Sequence, residues 1–444
     1  MRVLQVPFHF GLDQLGGTEI YVASLCKTLA ALGVESAIAA PAQSNAVARF
    51  DETTVYYFGL DRQAGFEQAH GQPDTVAATN FRDVLAIWRP DVVHLHARSS
   101  AVSELLVVEA KLAGCKVVYT YHTPTASCAR GTMMYGGSVP CDGKLDVTRC
   151  TDCVLQHHGV SAIPRSLLAR TPAWLGKLTA GCGRQGGLWT ALRMRSLQTD
   201  GQRRFHEFVD KVDKVVAVCD WVAQVLRRNG LSEPKLQVSR QGLPYSPLPA
   251  DNVSVAAADC GRMSNKRAPL RICYFGRIDP TKGVDVLVAA LQTIPQVNVS
   301  VDIYGIRQSE ESAYIKKLEA LIALDPRITL KAPLAANQVV AAMRKYDLVA
   351  VPSQWLETGP LVVLEAFAAG TPVIGSRLGG IAELLMDGVD GVLVDAADVG
   401  AWAAKLNELA ANHQFVASLN QGIKAPRLMH AVANEMYAIY LQDN

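Results

Sequence analysis

Two glutamates, a lysine and an arginine carry the densest chemical signal in the chain. Glu357 and Glu365 are separated by seven residues in QWLETGPLVVLEAFAAGTPVIGS, with Gly359-Pro360 between them. An apolar helical run follows and stops at Gly370. Proline suits the first helical position, where a backbone N–H would lack a partner anyway. The N–H groups ahead of it point out of the helix start, and the positive end of the helix stands behind them as an anion site. Glu357 falls in the loop and Glu365 on the helix. Upstream, FGRIDPTKGVDVLVAAL ends a buried strand at Phe275-Gly276, sets Arg277 and Lys282 in the next loop, and opens a helix at Gly283. Two cations on a strand-to-helix loop suit a diphosphate. The spacing is not that of a P-loop.

Other residues add to this at lower specificity. FGLDQLGGTEIY places Gly16-Gly17 at a helix start, where backbone can approach a ligand closely. His96 in DVVHLHAR and His122 in TYHTP end consecutive strands, and ligands of parallel sheets sit beyond the carboxyl ends of strands. His94 points the same way as His96 but one layer deeper, which suits a hydrogen-bonded core histidine. Cys128, Cys141, Cys150 and Cys153 crowd into one turn-rich stretch and end in C-x2-C. Four thiols in an insert too small for its own core suit a tetrahedral zinc, with His157 and His158 near enough to substitute. A disulfide pair, an iron–sulfur cluster or four unrelated thiols are the alternatives. The other six cysteines lie in apolar runs and read as small core residues.

The elements that must position these groups alternate. Strand candidates VLQVPF, ESAIAAP, DVVHLH, KVVYTYHT and KVVAVCD interleave with helical patterns over residues 3–230, and a second series runs from LRICYFGRI through VNVSVDIYG, RITLKAP, YDLVAVPS and TPVIGS. This rhythm implies parallel βαβ units. The fold class is therefore α/β, with two tandem Rossmann-like domains and a cleft between them. The expected division is an N-terminal Rossmann-like domain over 1–245, a Pro/Ser/Ala-rich linker over 246–268, a C-terminal Rossmann-like domain over 269–425, and a helix over 426–444 packing back on the first domain. The first domain carries the cysteine-rich insert over 124–160 and a basic segment over 165–214.

Length, composition and charge limit the classes. The 444 residues are 49% hydrophobic and 19% charged, which excludes a disordered chain and supplies ample core. No apolar run reaches the roughly 18 residues of a spanning helix. The start MRVLQVPFHF lacks a signal-peptide layout. The expectation is a cytoplasmic protein, peripheral at the inner face of the membrane at most. The net charge of +2 conceals an asymmetry: residues 1–245 hold 26 basic against 21 acidic side chains, and the remainder 17 against 20. Arg165 to Arg204 alone holds eight basic residues and one acid, interleaved with Trp174, Leu178, Trp189 and Phe205. That mixture suits an anionic membrane surface or a lipid-diphosphate acceptor, and equally a solvated hairpin over the domain core. Nucleic acid is discounted, because the rest of the chain is not basic.

Taken together, GGTEIYVASL, HLHA, YHTP, FGRIDPTKGVDVLVAAL and ETGPLVVLEAFAAGTPVIGSRLGGIAELL resemble the group 1, family 4 glycosyltransferases of the GT-B fold. The resemblance spans nearly the whole chain and is most specific over 271–394. It implies retaining transfer of a sugar from a UDP- or GDP-linked donor to a glycan, lipid-linked or small-molecule acceptor in cell-surface polysaccharide or glycolipid synthesis. It assigns Arg277 and Lys282 to the diphosphate, Glu357 to the donor sugar, and Glu365 to the ribose. The backbone of Thr358, Gly359, Pro360 and Leu361 would contact sugar and phosphate. His122 would stand near an outer sugar hydroxyl and Gly17 near phosphate and acceptor, with His96 and Gly16 on the acceptor side. Base recognition is expected from backbone near Lys331 to Leu334. One departure is Gln241-Gly242, where the family often has Asn-Gly. No Asp-x-Asp pair occurs, so no catalytic metal is expected and the fixed cations would carry the leaving charge. Two rivals are a sugar-nucleotide epimerase or glycosyl phosphorylase on the same fold, and a zinc-stapled, non-catalytic interaction protein on a transferase scaffold.

Overall fold

The computed structural model describes residues 1–12, 16–63, 65–180, 186–244, 268–307 and 312–442. The linker expected over 246–268 lies outside the described residues, save its last. The chain divides into two units, 1–244 with 429–444, and 245–428.

The first unit is built on an eight-stranded sheet. In chain order its strands are β1 (Arg2–Val6), β2 (Glu35–Ala42), β3 (Ala46–Phe50), β4 (Thr53–Gly59), β5 (Val92–Leu95), β6 (Lys116–Tyr121), β9 (Lys214–Ala217) and β10 (Leu236–Val238). The spatial order is β10-β9-β6-β5-β1-β2-β4-β3. All neighbours are parallel except the edge pair β3–β4. VVHL of β5 is wholly buried and KVVA of β9 nearly so, as expected where helices cover both faces. A two-stranded hairpin, β7 (Met134–Tyr135) and β8 (Val139–Pro140), lies in the cysteine-rich insert. One face of the large sheet packs under the helices Gly17–Ala30 and Met429–Leu441, with Leu25, Val432, Met436 and Tyr440 buried together. The other packs under Thr75–Trp88, Glu104–Leu112 and the end of Gly187–Lys211, through Phe81, Leu106, Phe205 and Phe208. Each large apolar side chain buried this way contributes about 1.5–3 kcal/mol.

The second unit has a six-stranded, all-parallel sheet of β11 (Leu270–Arg277), β12 (Val299–Ile306), β13 (Ile328–Lys331), β14 (Leu348–Val351), β15 (Val373–Ser376) and β16 (Gly391–Val394). Its order is β13-β12-β11-β14-β15-β16. Helices cover both faces, and Trp402 is fully enclosed on one of them. In each sheet the first strand is central and the strand order reverses beside it, between β1 and β5 in one unit and between β11 and β14 in the other. Doubly wound sheets bind ligands at such a reversal, beyond the carboxyl ends of the strands.

Candidate functional site

Arg277 ends β11, and Lys282 closes the short turn Pro280–Lys282 that follows it. Gly283 then turns the chain into the helix Val284–Thr293 with φ +65. A Cβ at Gly283 would stand 2.0 Å from the carbonyl oxygen of Pro352, so glycine is needed for both dihedral and space. This loop is bound to the one after β14: the Gln354 N–H donates to the Thr281 carbonyl at 2.7 Å. That second loop carries Glu357, and the helix Leu361–Ala369 starts after it with Pro360 at the capping position.

Lys282 and Glu357 meet there. Lys282 Nζ lies 2.5 Å from Glu357 Oε1. Ser353 Oγ donates to the same oxygen at 2.8 Å, and the Lys282 ammonium stands 5.2 Å from the centre of the Trp355 ring. Glu357 is 7% exposed. Burial pushes its carboxyl up, but the charge and hydrogen bond of Lys282, with the Ser353 bond, outweigh burial and hold it below the usual carboxylate value. The Gly380 N–H donates to the Glu357 carbonyl at 2.6 Å, and a Cβ at Gly380 would lie 2.9 Å from the Glu357 and Thr358 carbonyl oxygens. Arg277 stays more open, with Nε 3.6 Å from Asp279 Oδ2. Thr358 and Pro360 are buried, and Gly359, Leu361 and Glu365 half-buried, at the start of the helix. Lys282 and a helix start thus lie beyond β11 and β14, with Arg277 at the end of β11, and fixed cations beside a helix start are suited to an anion. Ser353, Trp355 and Gly380 escape sequence reasoning, although PSQW directly precedes the glutamate motif. Lys331 ends β13 with Nζ 3.7 Å from Asp302.

In the first unit the residues that end the strands are neutral. His122 follows β6 and His96 follows β5, and His96 Nδ1 lies 3.0 Å from His122 Nε2. The other nitrogen of His96 faces Gln5 Oε1 at 2.7 Å, so protein groups engage both its ring nitrogens. Gln241 Nε2 stands 3.4 Å from His122 Nδ1. Tyr21 packs its ring edgewise on His122 at 4.7 Å. Burial drives the pKa of His122 down to about 3 and that of His96 well below the usual value, so both rings are uncharged. Gly16 caps the helix Gly17–Ala30 in extended conformation, and both glycines are exposed.

The cysteine-rich insert brings its four thiols to one place. Cys128, Cys141, Cys150 and Cys153 all line one small cavity, and all are free thiols. Among the described residues, however, no three His, Cys, Asp or Glu side chains converge in a metal-holding group. The Cys153 sulfur instead receives the Gly136 N–H at 3.4 Å. Burial pushes the Cys150 thiol up to about 11. Polar contacts hold the insert: Arg149 pairs with Asp142 at 2.6 Å, and Asp152 accepts from Tyr135 at 3.0 Å and Arg165 at 2.8 Å.

The basic segment is also spent differently from its composition. Arg193 is buried on Glu67 and over the Phe66 ring, and Arg195 donates to Thr148 and Ala169. Arg203 pairs with Glu207, and Arg204 donates to the Gly71 carbonyl at 3.0 Å. Arg184 lies outside the described residues. The segment exposes apolar side chains beside its remaining cations: Leu167, Trp174, Leu178 and Leu188 are each 61–68% exposed, as are Ile163 just before it at 78% and the Lys177 side chain at 66%.

The comparisons with known proteins divide along the same lines. Residues 15–144 match the family described as Glycosyltransferase Family 4, and residues 264–425 match Glycosyl transferases group 1. The D-inositol 3-phosphate glycosyltransferase of Mycolicibacterium smegmatis is 30% identical over 208 residues, 46% of either chain. The match thus spans just under half the length of that relative. Among solved structures, sucrose-phosphate synthase from Thermosynechococcus elongatus superposes with a TM-score of 0.66 at 18% identity, over 99% of this chain and 98% of that one. Anabaena HepE in complex with UDP does so with 0.62 at 17%, over 99% of both. The motifs, the paired doubly wound sheets and both family matches agree: the chain belongs to the group 1, family 4 glycosyltransferases and has their GT-B fold.

Proposed function

We propose that this protein transfers a sugar, with retention of configuration, from a UDP- or GDP-sugar to a hydroxyl group of a glycan, lipid-linked or small-molecule acceptor. The buried Lys282–Glu357 pair beside the helix start carries the proposal. Lys282, Arg277 and the N–H groups of Thr358 to Leu361 take the charge that develops on the departing diphosphate. The bond from the sugar's anomeric carbon to the phosphate oxygen breaks while the acceptor oxygen bonds on the same face. The acceptor's proton passes to the leaving phosphate. Glu357 is tied to Lys282 and Ser353 and positions the lysine and donor sugar rather than attacking. Fixed cations supply the stabilisation that a divalent metal gives elsewhere, so activity should survive chelators. A relative named for inositol 3-phosphate and a neighbour holding UDP support a nucleotide-sugar donor and admit a phosphorylated acceptor.

The acceptor is met at a membrane surface. No helix among the described residues is long and apolar enough to cross a membrane. Ile163 and Leu167 on the helix Ala162–Arg170, and Trp174 and Leu178 on the helix Ala173–Ala180, are exposed pairs at i,i+4 spacing, each on one face of its helix. No acidic residue occurs between Asp152 and Asp200, and Arg170 and Lys177 flank the tryptophan. Tryptophan among leucines and cations suits the interface of an anionic bilayer.

A thermal-shift screen of UDP- and GDP-sugars, followed by NMR assignment of the product anomer, tests the transfer. A bound donor must raise the unfolding midpoint, by an amount that grows with the logarithm of its concentration over its dissociation constant. Transfer that survives both Glu357→Gln and Lys282→Ala, or an inverted product, would overturn the proposal.

A further inference from the structure

The polar side chains buried in the first sheet form a single directed chain. Gln5, His94, His96, Thr120 and His122 lie on β1, β5 and β6 or at their ends, and each is at most 4% exposed. Their hydrogen bonds continue to Tyr440 on the helix Met429–Leu441 and to Gln241. A neutral imidazole donates from one nitrogen and accepts at the other, so fixing one member fixes its neighbours.

The polarity follows from the two amides. Gln5 Nε2 donates to the Tyr440 hydroxyl at 3.4 Å, which leaves Gln5 Oε1 as an acceptor 2.7 Å from His96 Nε2. His96 therefore carries its proton on Nε2 and accepts at Nδ1. The atom facing that Nδ1 at 3.0 Å is His122 Nε2, which must donate. His122 is left with a bare Nδ1. Read from the other end, Gln241 Nε2 is a donor 3.4 Å from that same Nδ1. The two ends agree. The branch beyond Gln5 accommodates the same polarity: the Tyr440 hydroxyl lies 2.7 Å from His94 Nδ1 and can donate to it, and His94 Nε2 lies 2.7 Å from Thr120 Oγ1 and can donate in turn.

We propose that Gln5 and His96 are positioning residues that set the tautomer of His122, so that His122 offers a lone pair at Nδ1 to a sugar hydroxyl, with Gln241 holding that place until the hydroxyl arrives. The proposal rests on the family reading that puts His122 beside a substrate sugar, and it adds the direction of the hydrogen bond and the residues that enforce it. The recognised group is a hydroxyl acting as donor. A ligand presenting only an acceptor atom there, such as a fluoro or keto sugar, meets the wrong polarity.

The test is ¹⁵N NMR of ring-labelled histidine in the full chain, with His122 assigned by difference from His122→Gln, alongside kinetics of Gln5→Met and His122→Ala. The expected wild-type spectrum shows His122 as the Nε2–H tautomer. In Gln5→Met the signal moves toward Nδ1–H, and kcat/KM falls by about three- to tenfold, the worth of one hydrogen bond. A loss of affinity for nucleotide sugar but not for nucleoside diphosphate assigns the hydroxyl to the donor. A raised KM for acceptor alone assigns it to the acceptor. An Nδ1–H His122 in the wild type overturns the proposal even if Gln5→Met fails to fold. So does a folded Gln5→Met with unchanged tautomer and rate. If His122→Ala alone leaves transfer intact, the placement of His122 at the sugar fails instead, and the tautomer result still reports on the chain.

Discussion

The carboxyl edges of the two sheets solve recognition in opposite ways. In the second unit the strand ends carry charge: Lys282 and Glu357 lie 2.5 Å apart, and Arg277 at the end of β11 lies 3.6 Å from Asp279. In the first unit they carry uncharged imidazoles joined to two amides and two hydroxyls. A diphosphate is recognised by fixed positive charge, which works from several directions and at some distance. A hydroxyl is recognised by direction, and burying neutral groups that satisfy one another costs far less than burying an unpaired ion. On the proposed reading, the contrast is why one edge carries an ion pair and the other a defined tautomer.

The sharpest break of that contrast is Lys282→Met. It leaves Glu357 buried without its cation, which costs about 3–5 kcal/mol of stability, and it removes a cation from the leaving phosphate, which costs about 10²-fold or more in turnover. The pH dependence carries a sign. In the wild type Glu357 titrates below its ordinary value, so the stability it contributes is present above the carboxylate range and is lost as pH falls through the folded value. In the variant, burial is opposed only by hydrogen bonds, so the folded value rises and protonation relieves strain. The gap in unfolding midpoint between wild type and variant should therefore narrow from pH 7 to pH 4. A gap that stays constant would mean that the contact is not an ion pair. His122→Ala should show a pH-dependent gap of its own: the folded ring stays neutral down to about pH 3 while the unfolded imidazole takes up a proton below its ordinary value, so wild type loses stability relative to this variant as pH falls from 7 to 4.

Gly283→Ala comes next. The residue combines φ +65 with a Cβ position 2.0 Å from the Pro352 carbonyl, so the loop carrying Lys282 must move off the loop carrying Glu357. We expect a loss of about 2 kcal/mol or more and a weaker donor complex, measured by thermal unfolding and calorimetry. Gly370→Ala is the control. It has φ +70 but no neighbour closer than 4.0 Å, so it should cost only the dihedral, about 1 kcal/mol, with donor affinity unchanged. Trp174→Ala should leave both quantities alone and reduce co-sedimentation with phosphatidylglycerol vesicles, while phosphatidylcholine vesicles bind neither form. Undiminished co-sedimentation would remove the exposed pairs from the membrane proposal.

The charged edge was the legible one. Glutamates seven residues apart around Gly-Pro, and two cations after a strand, are local patterns, and parallel buried strands declare themselves as apolar runs such as VVHL and LVAV. The neutral edge was legible only in part, because its partners are far apart in sequence. Tyr440 lies 346 residues from His94, and no spacing rule links them. The same distance hid the fate of the basic segment, since Arg193 is neutralised by Glu67, 126 residues away. Composition counts charges but not their partners. Cysteine spacing likewise says how close four thiols come but not where each sulfur points, and Cys153 points at backbone. The edge pair β3–β4, the helix Thr75–Trp88 and β16 went unread, although TTVYYFG and VLAIW carry ordinary strand and helix patterns.

The smallest expected effect separates the two glycine loops. Gly16 stands at the strand-to-helix turn of the neutral edge, as Gly283 does at the charged one, but its φ is −80 and its backbone is open to any residue. A Cβ there would meet only the carboxylate end of Glu19, at 2.6 Å, which can swing away. Gly16→Ala should therefore change stability by no more than about 0.5 kcal/mol. If this loop lets a substrate approach the backbone, the same methyl group should raise KM several-fold while the unfolding midpoint holds. Measured together, the two quantities distinguish a glycine kept for the fold, as at Gly283, from one kept for a ligand. An unchanged KM would mean that the glycine pair at the neutral edge merely starts a helix, and that recognition there belongs to the histidine chain alone.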